Sequence, residues 1–481
     1  MNETKLQQIL VRFNPWWRGG PVQPSLFTDE HRRRDFDRLV DRMLSTQIVT
    51  LVGPRQVGKS TMMGQYIDYL LNQGHTPEHV LYMTTEASTI SSDADNILSD
   101  ILTIYESRVL GRSFETLDSP VYILIDEVQK ATNWGDTVKL YADRYDQLHF
   151  LLSGSVSTLI TKEANETLVG RAEEQVIVPM KFVDYVRYEG VLSDEAVREQ
   201  SRNLRDKVKA GVREGDAQAV TLALSRASMQ LESSRPEITQ ALERYLLRGG
   251  YPGYFDLEAV DALRKLDEDL YRVVHGDLAT VFGVDKRGEL MAVLRHFADS
   301  TGNKLSIRGL ATDLGIDRET VREYIEYLEE FFLIYRCPHY TEGARASRKQ
   351  PMAYVSDVGH LNALCGTDPE GFPTSADMGA ILETAVCDHL RRLQFNLSNF
   401  RNAEVTYNET TGEVDFVLSG SDYCVAVEVK HGNPERMNLR NINRFLAEKE
   451  GSVGFVVNHA NSFSQDGSLI FVPSWLFFYL C

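Results

Sequence analysis

Two groups of residues in this chain have types and spacing suited to chemistry. The first is the run Gly53, Pro54, Arg55, Gln56, Val57, Gly58, Lys59, Ser60, Thr61. It follows an apolar run, Ile48 to Val52, and precedes a helical pattern from Thr61 to Leu71. Strand, glycine-rich turn and helix in that order make a phosphate cradle. The glycines let backbone N–H groups converge on phosphate oxygens, and the helix N-terminus adds its positive dipole end. Lys59 reaches the β- and γ-phosphates, and the Ser60 hydroxyl suits Mg²⁺. Downstream, the apolar run Val121 to Ile125 ends in Asp126 and Glu127. One acid at such a strand end serves the metal and the next polarises the attacking water, so Asp126 is the metal-side acid and Glu127 the base. Ser153 closes another apolar run, where a hydroxyl either senses a γ-phosphate or simply ends the strand in a turn. Arg171 suits a γ-phosphate contact, in its own or a neighbouring subunit, or an ordinary ion pair.

The second group lies near the C-terminus. Tyr423 to Lys430 alternates with period two, so Val425, Val427 and Val429 face a core while Glu428 and Lys430 share the other side. Asp415 sits on the preceding strand pattern, and Glu383 on a helix over about 376–395. Asp415, Glu428 and Glu383 are candidate ligands for Mg²⁺ on a scissile phosphate, and Lys430 can orient or deprotonate a water. The plainer alternative is a surface ion pair between Glu428 and Lys430. A following helix over 435–449 carries Arg436, Arg440 and Arg444 on one face, either a solvated face or a ridge for a phosphate backbone.

The elements that position these groups divide the chain into five expected parts. Residues 1–30 form an arm in which Asn14, Pro15, Trp16 and Trp17 dock on the core or wall the nucleotide base. Residues 31–190 hold alternating strands and helices, which predicts a parallel sheet with helices on both faces. Arg32, Arg33 and Arg34 open its first helix and read as a solvated face. Residues 191–300 are helical and charge-rich, a lid or spacer. Within 301–342, Ser306 and Asp317 cap two helices joined at Gly315, and Phe331 to Tyr335 reads as a strand: the order of a winged helix-turn-helix. Its second helix carries Arg318 and Arg322 but also Glu319, Glu323, Glu326 and Glu330, a face that repels phosphate. Residues 343–481 form an α/β domain with an αβββαβ order.

Composition narrows the partners. With 51 Lys and Arg against 69 Asp and Glu the formal charge is −18, so DNA contact requires a local basic patch. The five cysteines are scattered without a C-x-x-C pair, which argues against a zinc site and a disulfide framework and suits a reducing cytoplasm. No signal-like segment opens the chain, and the apolar tail from Leu469 is broken by Pro473, so no membrane is expected.

Taken together, the sequence resembles a bacterial and archaeal family of AAA+-type P-loop ATPases with a C-terminal domain of unknown function related to the PD-(D/E)xK nucleases. The resemblance rests on Asn14 to Trp17, Gly53 to Ser60, Ile125 to Gln129, Leu152 to Ser155, Gly170-Arg171, Gly249 to Pro252, the winged-helix pattern, Glu413 to Phe416 and Glu428 to Lys430. It implies an α/β fold, ATP as the nucleotide, and assembly or switching as the output. It also implies that Pro252, in a Gly-x-Pro element, lies near the nucleotide. The expected function is a cytoplasmic Mg²⁺-ATPase whose nucleotide state controls a nuclease-like domain acting on DNA. The alternative is a switch whose winged-helix and nuclease-like parts dock or regulate without cleaving. Candidate partners are DNA, further copies of the chain, or another protein.

Overall fold

The computed structural model describes residues 3–22, 31–85, 97–155, 168, 170–341, 349–372, 378–396, 404–410, 412–420, 422–431, 438–459 and 463–481. It divides into two compact units, Met1–Val178 and Pro179–Cys481. The five expected parts are thus gathered into two, and the first ends before residue 190.

The first unit is built on five strands: β1 (Ile48–Val52), β2 (Val80–Thr84), β3 (Val121–Asp126), β4 (Leu148–Gly154) and β5 (Ala172–Val176). Their order is β2-β3-β4-β1-β5, and every neighbouring pair is parallel. β1 and β3 are buried along their whole length, which is why both read as unbroken apolar runs. Helices α1 (Glu3–Phe13), α2 (Arg34–Ser45), α3 (Lys59–Asn72), α4 (Ile97–Ile104) and α5 (Trp134–Arg144) complete the unit. The register sets the C-terminal ends of β1, β3 and β4 side by side: Val52 pairs with Gly154 and Ile125 with Leu152. In a parallel sheet that end is where ligands bind.

The N-terminal arm is docked against the edge of this sheet. The Asn14 side chain donates to the Tyr82 carbonyl at 2.8 Å and accepts from the Tyr82 N–H at 2.6 Å. The Trp16 and Trp17 indoles both donate to the Val80 carbonyl, at 2.9 and 3.0 Å. Trp17 stacks on Tyr105. Each neutral bond contributes about 1 kcal/mol, and together they satisfy backbone groups on the side of β2 that pairs with no strand among the described residues.

The second unit starts with α6 (Phe182–Tyr188), followed by α7 (Asp194–Glu214), α8 (Ala217–Gln230), α9 (Arg235–Arg248) and α10 (Ala259–Arg272). Val208 and Val212 of α7 and Val220 and Leu224 of α8 belong to the same buried cluster as Val425 and Val427 of the C-terminal sheet. The charge-rich stretch read as a lid or spacer is therefore amphipathic cladding on that core. Next come α11 (Arg287–Asp299), β6 (Asn303–Lys304), α12 (Ile307–Leu314), α13 (Arg318–Glu330), β7 (Ile334–Cys337) and β8 (Met352–Val355), the strands ordered β6-β8-β7 and antiparallel. Ser306 caps α12 by accepting from the Gly309 N–H, and Asp317 caps α13 by accepting from the Glu319 N–H. The strand expected from Phe331 begins later, because Phe331 caps α13 and Phe332 takes a positive φ of 59°.

After α14 (Val358–Cys365) and α15 (Met378–Asn396) a six-stranded mixed sheet closes the unit. Its strands are β9 (Glu404–Asn408), β10 (Val414–Ser419), β11 (Cys424–Lys430), β12 (Val453–Asn458), β13 (Ser464–Asp466) and β14 (Leu469–Pro473), in the order β13-β14-β12-β11-β10-β9. Helix α16 (Arg440–Glu448) covers one face through Ile442 and Phe445, which pack with Ala426 and Val456. The face opposite Val425 and Val427 is thus apolar as well at Ala426. The apolar tail proves to be an inner strand, β14, paired with β12 and β13, and a final buried helix α17 (Ser474–Leu480). No helix among the described residues is long and apolar enough to cross a membrane.

Candidate nucleotide site and acid–lysine cluster

Residues 53–58 form the turn between β1 and α3, and Lys59, Ser60 and Thr61 are the first residues of that helix. Two glycines are needed here. A Cβ on Gly53 would sit 1.9 Å from the Ile177 carbonyl oxygen, and Gly58 has a φ of 95°. Gln56 joins it at positive φ, 62°. Lys59 is buried, and its Nζ donates to the Gly53 and Pro54 carbonyls, both at 2.8 Å. Burial pulls its ammonium below the ordinary lysine value, while Glu127 and Asp126 act to raise it.

Asp126, at the end of β3, is 5% exposed. Its Oδ2 accepts from Ser60 Oγ at 2.6 Å and from Tyr82 OH at 3.2 Å, and its Oδ1 accepts from Ser153 Oγ. Ser60 and Asp126 therefore present adjacent hard oxygen donors, the chemistry Mg²⁺ takes. Glu127 lies in the left-handed region, φ 55°. Its N–H donates to Ser153 Oγ at 3.2 Å, and its carbonyl accepts from Thr85 Oγ1. Ser153 thus links both acids at the end of β3.

Arg171 falls elsewhere in the first unit. Arg171 directly precedes Ala172, which pairs with Ile48 at the opposite end of β1 from the phosphate turn. Five strand residues span roughly 16 Å, so Arg171 does not serve the γ-phosphate of its own chain. It pairs with Asp143 at 2.7 Å. Pro252 belongs to the second unit, and the turn that precedes it is held from within that unit. The Gly250 N–H donates to Asp357 at 2.9 Å, and the Gly250 carbonyl accepts from the Met180 N–H at 2.6 Å.

Sequence reasoning missed Arg33. It is 6% exposed rather than solvated. It donates to the Val57 carbonyl at 2.7 Å, the Val178 carbonyl at 2.6 Å and Asp35 at 3.1 Å. Burying a guanidinium without acceptors costs several kcal/mol. These three acceptors offset that cost and brace the phosphate turn from behind. Nothing in the run Arg32, Arg33, Arg34 distinguishes the middle residue.

The second group gathers in part. Lys430 Nζ lies 2.5 Å from Glu428 Oε1. Asp415 Oδ2 accepts from the Val429 N–H at 2.7 Å, and Glu383 Oε1 accepts from Tyr354 OH at 2.7 Å. The four side chains are close enough to act on one another's charge. Burial and then Asp415 push Glu383 up to about 8, and the same two causes push Glu428 up to about 7. Glu428 Oε2 is buried without a partner among the described residues. Yet no group of three or more His, Cys, Asp or Glu among the described residues is arranged to hold a metal ion. Asp415, Glu428 and Glu383, expected as a metal set, do not form such a group, and Lys430 is paired with Glu428. Of the arginine stripe, Arg436 lies outside the described residues; Arg440 is exposed and Arg444 pairs with Glu448 at 3.3 Å. On α13, Arg322 pairs with Glu319.

Residues 45–186 match the family described as AAA domain. By that match this stretch is similar to AAA-type P-loop domains. Residues 239–371 and 378–477 match two domains of unknown function, DUF8612 and DUF4143, and neither description names a nuclease. The chain is 23% identical to an uncharacterized protein of Haemophilus influenzae, covering 89% of this chain and 94% of that one. It is 20% identical to an uncharacterized protein of Methanocaldococcus jannaschii, covering 82% of this chain and 78% of that one. Among solved structures, a Walker-type ATPase of Pyrococcus abyssi is 15% identical, covers 71% of this chain and 98% of its own, and has a TM-score of 0.43. The ADP form of the Aeropyrum pernix ORC2 protein is 12% identical, covers 67% and 90%, and scores 0.31. At scores this low neither bears on what the chain does.

Proposed function

We propose that the chain is a Mg²⁺-dependent ATPase whose nucleotide cycle governs its second unit. The observation that carries this is the set Lys59, Ser60 and Asp126. Among the described residues Lys59 is held by backbone carbonyls alone, and the Ser60 hydroxyl lies 2.6 Å from Asp126. Lys59 exchanges those carbonyls for phosphate oxygens when ATP enters the AAA-type domain. The turn's N–H groups and the α3 N-terminus hold the remaining phosphate charge. Ser60 and Asp126 would hold Mg²⁺, which supplies charge neutralisation on the β- and γ-phosphates when bound. Glu127 accepts the proton of the attacking water as its oxygen bonds to the γ-phosphorus, and the bond to the bridging oxygen of ADP breaks. Phosphate release from ATP by the purified chain, with and without chelation of Mg²⁺, tests the proposal. Tight ATP binding with no release under any condition would leave a nucleotide-binding switch and no enzyme.

For the output, the 2.5 Å pairing of Lys430 with Glu428 favours the docking or regulatory reading over cleavage. A lysine neutralised by the neighbouring carboxylate is a poor activator of water. The winged-helix order of α12, α13, β7 and β8 supports a recognition role, and the acidic face of α13 points to a protein partner or another copy of the chain over DNA. The direct check is linear and supercoiled DNA with ATP and Mg²⁺ or Mn²⁺, beside an Asp415→Ala variant. Cutting by the native chain that the variant lacks would restore the nuclease reading.

A further inference from the structure

Glu127 carries more restraint than a base at a strand end needs. Its Oε2 accepts from Gln129 Nε2 at 2.6 Å and from Ser155 Oγ at 3.3 Å. Gln129 Nε2 also donates to Ser155 Oγ at 3.2 Å, so the three side chains close a small ring. Ser155 is 4% exposed. The backbone below is fixed too, by the left-handed conformation of Glu127 and by its N–H on Ser153. Among the described residues Oε1 of Glu127 has no hydrogen-bond partner. Gln129 Oε1 is buried and likewise unpartnered.

A free glutamate carboxylate turns through a broad, two-fold torsion and offers either oxygen to a water. Two donors on Oε2 remove that freedom. We infer that Gln129 is a positioning residue for the base: with Ser155 it occupies Oε2 and so leaves Oε1 as the oxygen that takes the proton. This rests on the reading of Glu127 as base. Gln129 also keeps one buried acceptor, its Oε1, for a donor that arrives with the ligand. The pairing depends on the amide's N–H₂. A carboxylate of the same shape at position 129 would repel Glu127, and alanine would release it. A residue that merely filled space would tolerate the isosteric change better than the truncation. Gln129 as a positioning residue predicts the reverse order.

The test uses the full chain with single-turnover phosphate release, steady-state hydrolysis, and binding of a fluorescent ATP analogue. Gln129→Ala should lower kcat by about 10- to 100-fold, the scale of a base misplaced by an ångström, with KM and analogue affinity within about twofold. Gln129→Glu should be slower still while melting no earlier than Gln129→Ala, and Ser155→Ala should lose about threefold, the smaller share of a shared restraint. If Glu127→Gln is inactive while Gln129→Ala turns over within about twofold of the native chain, the inference is wrong and the base assignment stands. If Glu127→Gln hydrolyses ATP normally, the base assignment fails and takes this inference with it. Should Gln129→Ala not fold, the isosteric Gln129→Glu decides: native turnover in that chain overturns the role of Gln129.

Discussion

The phosphate turn and the C-terminal cluster each set acidic side chains near a lysine, and they neutralise that lysine in opposite ways. Lys59 is held by two backbone carbonyls, and Asp126 by the hydroxyls of Ser60, Tyr82 and Ser153. Dipoles hold those charges, and a charged ligand displaces dipoles readily. Lys430 is held by the Glu428 carboxylate itself. A ligand must break an ion pair to enter there. The first arrangement is poised for exchange with an incoming polyanion and a cation. The second is already complete in charge.

Four substitutions test that contrast. The largest effect is expected at Glu127→Gln, which keeps ATP binding and slows hydrolysis by about 10²–10⁴-fold, the usual worth of a general base. Equal rates for the two chains would remove the base from the first site. Lys59→Ala comes next. Loss of its charged bonds to phosphate costs about 3 kcal/mol or more, over a hundredfold in affinity by titration calorimetry. Its melting temperature should hardly move, because the carbonyls it leaves can accept hydrogen bonds from water. Lys430→Met should do the converse and lower the stability of the second unit by about 1–2 kcal/mol in denaturant unfolding. That is less than a fully buried pair would lose, since the Lys430 side chain is 30% exposed. Nucleotide affinity should stay put; a hundredfold loss there would erase the distinction between the two lysines. The smallest effect is expected at Arg33→Lys, which keeps the charge and one of the two carbonyl bonds. ATP affinity should fall by about threefold, roughly one neutral-strength hydrogen bond or less.

The parts legible in the sequence are those whose partners are near in the chain or fixed by strand register. Gly53 to Ser60 spells out its own turn. Asp126 and Glu127 end an apolar run that can only be an inner strand of a parallel sheet. Ser306 and Asp317 announce their helix caps two or three residues ahead. The parts that stayed hidden depend on partners set by the fold. Arg33 resembles its neighbours until the carbonyl of Val178 is brought to it. Gln129 lies inside the Ile125 to Gln129 stretch, but its hold on Glu127 needs the turn after β3 and Ser155 just past the end of β4. Arg171 follows a glycine in a promising place, yet the parallel direction of β5 sets it at the wrong end of the sheet. Residues 191–247 are so charged that their thin apolar stripe does not stand out, and it is that stripe which joins the C-terminal core.

The arm at Asn14 has a consequence for how the first unit keeps to itself. An outer strand of a parallel sheet is a template on which another extended chain can grow, hydrogen bond by hydrogen bond. One asparagine amide, matched donor to acceptor against Tyr82, imitates a missing neighbour, while two indoles shut the Val80 carbonyl beside it. Asn14→Ala would reopen that template without touching a catalytic group, and the chain would trade a solitary sheet for one inclined to stick to its own kind.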